Sequence, residues 1–104
     1  MPHFENPFSG NNLGRKMTRE EVLRALRIAI AAEYEAVQMY QQIAEATTDD
    51  TVARVMDSVA LEELVHAGEF LEVLLLLSPD EAQAYEEGSK EVRDMIKEAG
   101  GNAE

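Results

Sequence analysis

The sequence predicts an all-α fold: an antiparallel two-helix hairpin plus a short C-terminal helix, with two copies closing into a four-helix bundle on dimerisation. Three observations predict it. From Thr18 to about Ala46 no glycine or proline interrupts the chain. The stretch "ATTDD" (46–50) is the only polar break before a second helical run that continues to Leu77. No segment alternates as a strand would, and no internal repeat is present.

The elements follow in order. Residues 1–17 carry two prolines, two glycines and three asparagines. They read as a flexible N-terminal tail, with Phe4 and Phe8 able to anchor it. Thr18-Arg19-Glu20-Glu21 is a capping box, in which Thr18 caps the first helix and Glu21 reaches back. The second helix contains Gly68, at some cost in propensity. Ser78-Pro79-Asp80-Glu81 repeats the capping pattern, with proline at the first helical position. The third helix is expected to break or kink near Gly88-Ser89. "KEVRDMIKEA" then resumes and stops at Gly100-Gly101. The domain therefore spans 18–99, and 100–104 form a flexible tail.

At 104 residues the chain is one domain with a modest core. It has no cysteine, which excludes disulfides, thiolate metal sites and cysteine nucleophiles. Its net charge is −12, from 21 acidic against 9 basic residues. Such a surface repels nucleic acid and attracts cations. No apolar run approaches the roughly 20 residues that span a bilayer, and the N-terminus lacks a signal-peptide pattern. No nucleic-acid or membrane partner is expected, and a reducing cytoplasm fits.

Polar residues interrupt two apolar stripes. On the first helix, Leu23, Leu26, Ile30, Glu33, Val37, Tyr40 and Ala44 recur at alternating three- and four-residue spacing. On the second, the same spacing selects Val52, Met56, Val59, Glu63, His66, Phe70, Val73 and Leu77. Glu33 stands 15 residues before Thr48, and Glu63 stands 15 after it. In an antiparallel hairpin both lie about 22 Å from the turn, at 1.5 Å per residue. His66 sits one turn from Glu63 on the same face. Three ligand-type side chains thus meet at one level.

Buried charge is costly unless paired, and a metal ion pairs it. Carboxylate oxygens suit a hard cation, and imidazole tilts selectivity toward transition metals. Carboxylate-bridged di-iron sites take a Glu from each of two helices and Glu-x-x-His from each of two others. One hairpin holds half of that set. His3, the other histidine, lies in the tail. Two chains about a two-fold axis complete it, with two copies each of Glu33, Glu63 and His66.

The hairpin "AAEYEAVQMY…EELVHAGEF" resembles the ferritin-like superfamily. It is most similar to the encapsulated ferritins, and also resembles the ferritin-like domains fused to encapsulin shell proteins. The resemblance covers about residues 18–98. It implies a ferritin-like four-helix bundle and a ferroxidase that converts Fe(II) to Fe(III) at an intersubunit di-iron centre. Glu33, Glu63 and His66 match the iron ligands, and Ca²⁺ or other divalent cations can substitute. Glu35 and Glu62 match acidic positions near the metal path, as entry or secondary sites. Tyr40 matches an aromatic residue close to the ligands, whose hydroxyl can bond a ligand carboxylate. The resemblance further implies a decameric ring, built as a pentamer of dimers, inside an encapsulin nanocompartment in the cytoplasm, with the shell protein as partner and mineral storage as the end. "EAGGNAE" does not resemble the loading peptide many such proteins carry, so loading takes another route or the chain comes from a longer or fused protein. The alternatives are a non-catalytic metal-binding protein and a structural helical oligomer or cargo module, in which the polar stripe residues set helix register.

Overall fold

The computed structural model describes residues 14–100; residues 1–13 and 101–104 lie outside it, and with them Phe4, Phe8 and most of both expected tails. Three helices account for nearly all of the described chain, and no strand occurs in it: α1 (Arg19–Ala46), α2 (Asp50–Leu77) and α3 (Pro79–Gly100). The fold is all-helical, as the spacing of apolar residues requires.

Helix α1 starts where the capping box predicts. The Glu21 amide donates to Thr18 Oγ1 at 3.2 Å, and the Thr18 amide donates to Glu21 Oε1 at 2.9 Å. Arg15 adds a bidentate pair to the Glu21 carboxylate, both bonds at 2.7 Å. Glu21 thus fixes the entry of the chain from two sides, and Arg15 holds its carboxyl down at about 2. At the far end, Thr47 closes α1 through its amide to the Ile43 carbonyl at 3.0 Å. Asp49 then caps α2, its Oδ1 accepting from the Val52 amide at 2.9 Å. The polar break therefore carries both a stop and a start, and only residues 47–49 lie outside helix.

The chain divides into two compact units, one through Leu74 and one from Leu75 onward. In the first, Leu23, Ile30 and Leu74 form a buried cluster, with Leu26, Phe70 and Leu71 packed against it. Leu23 stands 25 residues before Thr48 and Leu74 stands 26 after it, so the two helices run antiparallel in the expected register. All seven positions of the α1 stripe are buried or half-buried.

The α2 stripe is rotated by one position from expectation. Its buried line is Ala60, Ala67 and Leu74, not Val59, His66 and Val73. Alanine at the closest approach lets the α1 backbone come near. The β-branched valines and the histidine turn to the rim, and Val73 remains 45% exposed.

The second unit holds α3, which differs from expectation in length and continuity. It runs unbroken through Gly88-Ser89 for 22 residues. A helical glycine costs about 1 kcal/mol, which alone does not stop a helix. The Arg93–Glu86 ion pair at 2.9 Å spans the expected break, and the Lys90–Asp94 pair at 2.8 Å supports the turn after it. Pro79 opens the helix, and the amides of Glu81 and Ala82 donate to the Ser78 carbonyl at 3.1 Å. The Glu81 carboxylate also accepts the Tyr85 hydroxyl.

Thr18→Ala removes one half of the α1 cap and is expected to cost about 1 kcal/mol, with Thr18→Ser close to neutral, read from denaturant melts followed by circular dichroism. Because the Glu21 carboxyl is depressed on folding, its contribution is full above its unfolded value of 4.5 and is lost as pH falls toward 2. Arg15→Ala is expected to flatten the acid limb of the stability curve over that window and to leave neutral-pH cooperativity intact.

Candidate metal centre

Glu33 lies at mid-length of α1, and Glu63 and His66 lie at mid-length of α2. The helices bring all three together, so that one ligand atom from each lies within 4.8 Å of the others. His66 Nδ1 is 3.0 Å from Glu63 Oε1 and 3.8 Å from Glu33 Oε1. Nδ1 is therefore the ring nitrogen that faces the carboxylates. The carboxylate side chains are 19% and 18% exposed, whereas the imidazole is 49% exposed. The rotation of the α2 stripe explains the difference. Glu63 stays in line with the core, and His66 moves to the rim beside it.

Glu63 sits between two hydrogen-bonding partners. A hydrogen bond shared with Glu63 raises the Glu33 carboxyl above its ordinary range, and burial and the Glu63 charge push the same way. The Glu63 carboxyl is lowered, first by that bond and then by His66. The His66 imidazole is raised, chiefly by its bond to Glu63 against partial burial, with help from the charges of Glu33, Glu63 and Glu69. Glu33 is thus the carboxyl of the pair pushed toward its protonated form, Glu63 the one pushed toward its ionised form, and His66 Nδ1 lies 3.0 Å from Glu63 Oε1 on the other side.

The donor set fits a hard or borderline cation. It offers two carboxylate oxygens and one imidazole nitrogen, with no sulfur. A metal bonded at about 2.1 Å holds adjacent octahedral ligands about 3.0 Å apart, so these donors need to close only modestly. Three donors on one side leave an octahedral ion short of partners, and the exposed histidine edge is the open side.

The other expected site residues lie outside this close group. Glu35 is half-buried on α1, where it lines a shallow groove with Ala32, Ala36 and Met39. Glu62 is exposed on α2. Tyr40 is half-buried, two turns beyond Glu33 on the same stripe. Ala60 and Ala67, which set the approach of α1 at the level of the triad, escaped the sequence reading. Their signal is alanine repeated at a seven-residue interval beside larger apolar residues.

Known proteins share this all-helical fold. A family model described as Rubrerythrin matches residues 24–100. A ferritin-like-encapsulin shell fusion protein of Pyrococcus furiosus is 37% identical over 84 residues, which are 81% of this chain and 24% of that protein. The encapsulin nanocompartment cargo protein EncC of Myxococcus xanthus is 33% identical over 88 residues, 85% of this chain and 67% of that one. The chain thus spans about a quarter of the fusion protein and about two thirds of the cargo protein. The crystal structure of the encapsulated ferritin domain from Pyrococcus furiosus superposes with a TM-score of 0.77 at 34% identity, over 99% of this chain and 100% of that one.

In metal-free protein the His66 ring is expected to titrate above its ordinary value of 6.5, and Glu63→Gln to bring it back toward that value, followed by NMR of the imidazole protons. Since folding raises this group, its contribution to stability is complete below 6.5 and fades as pH climbs past the folded value.

Proposed function

The chain belongs to the rubrerythrin family of ferritin-like proteins, and from that premise we propose that it is a ferroxidase with an intersubunit di-iron site. Its substrate is Fe(II), and the product Fe(III) is handed on for mineral storage inside an encapsulin compartment. The observation that carries this reading is the convergence of Glu33, Glu63 and His66 on one open edge. Each chain gives one such edge, and a two-fold axis through it joins two edges into a site of four carboxylates and two imidazoles.

Iron supplies the redox chemistry, each Fe(II) giving one electron to dioxygen or peroxide. The protein does the rest. Glu33 and Glu63 would hold the cation as carboxylates, and their negative charge would favour the ferric over the ferrous state. His66 presents Nδ1 as the nitrogen donor, after losing its own proton. Glu33 and Glu63 of both chains would together hold the ions at the joined edge. Val59 and Phe70, both half-buried, are the apolar neighbours of the triad along α2.

Three further parts of the reading rest on the family. Glu35 and Glu62 serve as entry or secondary sites for cations. The Tyr40 hydroxyl bonds a ligand carboxylate. The dimers assemble into a decameric ring that associates with the shell protein, in the cytoplasm. The names of the two relatives support the shell as partner, since one is fused to a shell protein and the other is a nanocompartment cargo protein. Among the described residues no helix is long and apolar enough to cross a membrane.

Stopped-flow mixing of the protein with Fe(II) and air tests the assignment through the near-ultraviolet rise of ferric species. Glu63→Ala or His66→Ala is expected to remove the initial phase and leave only the slow oxidation seen without protein. Wild-type rates in both variants would refute it.

A further inference from the structure

Helix α1 carries a second line of mostly apolar residues. Glu21, Ala25, Ile28, Ala32, Glu35 and Met39 recur at alternating four- and three-residue spacing. The line runs two positions behind the buried Leu23, Ile30 and Val37, which is about 200° around the helix. It therefore points away from the seam with α2. Its far half is a groove of about 550 Å³ lined by Ala32, Ala36 and Met39 beside Glu35 and Gln42. Ala32 is exposed and Met39 is 49% exposed. The two alanines leave a shallow floor that takes a bulky side chain from outside.

The chain enters α1 on this same face. Arg15 clasps Glu21, the first member of the line, through two bonds at 2.7 Å. That pair holds the entering segment against the first turn of the helix. Gly14, just before it, has φ 74°, the left-handed conformation of a turn, so the chain changes course there. The 13 residues before Gly14 contain Phe4 and Phe8, two of the three phenylalanines in the chain. At roughly 3.3 Å per extended residue, Phe8 reaches about 23 Å from Arg15 and Phe4 about 36 Å. At 1.5 Å per helical residue, the groove begins about 16 Å beyond Glu21, at Ala32, and ends about 32 Å beyond it, at Gln42. Both rings reach it.

We propose that residues 1–13 lie along the outer face of their own α1, antiparallel to it, with Phe8 and Phe4 seated in the groove between Ala32 and Met39. An extended segment turns every second side chain the same way, so residues four apart face the helix together. Their rings then stand about 13 Å apart, against about 10 Å between Ala32 and Met39. Tethering favours this occupant over a free one. A segment joined to α1 by a short link meets the groove at a local concentration on the order of millimolar, so two rings suffice where a free peptide would bind weakly. The contact covers apolar surface that the hairpin seam leaves out. It rests neither on iron nor on a second copy.

The chain has no tryptophan, so Phe4→Trp or Phe8→Trp gives a single fluorescent reporter. In metal-free protein each is expected to emit to the blue of a free peptide of residues 1–13 carrying the same substitution, and to resist quenching by acrylamide. Ala32→Arg and Met39→Asp stand at exposed positions that leave the seam intact. Each is expected to return emission and quenching to the peptide values, with helix content by circular dichroism unchanged. Peptide-like emission with the groove unaltered, or shielding that both groove variants leave in place, overturns the proposal. A second arm tells the chain's own segment from a neighbour's. The chain has no cysteine, so Phe8→Cys/Ala32→Cys, with Phe4 left as anchor, reports the contact without background. Oxidation at high dilution is expected to close the disulfide within single chains, read by non-reducing gel and peptide mass. Links solely between chains, or no link, also overturn it.

Discussion

A hairpin of two helices has one seam, and the rest of this molecule depends on what that seam leaves uncovered. Leu23, Ile30 and Leu74 fill it at the open end, and Ala60 and Ala67 narrow it along α2. The alanines let the helices come close, and the hairpin register sets Glu33 level with Glu63. The same rotation lifts His66 to the rim. The triad is thus a product of packing, with its geometry set by residues that carry no polar atom in their side chains.

Three ionisable groups beside an apolar seam would be costly if each stood alone. Here they satisfy one another. Glu63 raises the carboxyl of Glu33 beside it, and His66 Nδ1 stands 3.0 Å from Glu63 Oε1. No buried side-chain nitrogen or oxygen among the described residues lacks a partner. The hairpin therefore holds its donors in place before any cation arrives. A cation bound there would compete with protons for these groups, so its affinity would rise with pH.

Much of this was legible in the sequence. The cap at Thr18, the proline start of α3 and the uninterrupted runs between them located all three helices. Counting outward from Thr48 placed Glu33 opposite Glu63, because helical rise is constant and the loop is short. The rotation of α2 was not legible. Spacing of three and four fits Val59–Glu63–His66 as well as Ala60–Glu63–Ala67, and choosing between them requires the size of the space facing each line. Continuity of α3 was missed for a related reason. A glycine signals a break only when nothing bridges it, and the Arg93–Glu86 pair spans seven residues, beyond the reach of a local rule.

The surfaces left over are too large for a chain of this length to hide by itself. A small domain buries only about 60% of what its unfolded chain exposes, and a hairpin does worse than a closed bundle. Three stripes remain after the seam closes: the metal edge, the far flank of α2 and the face of α3. If the metal edge is completed by a twin, cation binding and association share one free energy. Whatever binds the paired state alone then shifts every chain toward it. The net charge of −12 works against that pairing, since two such chains repel. Cations bound at such a shared edge would offset part of that repulsion and so favour pairing.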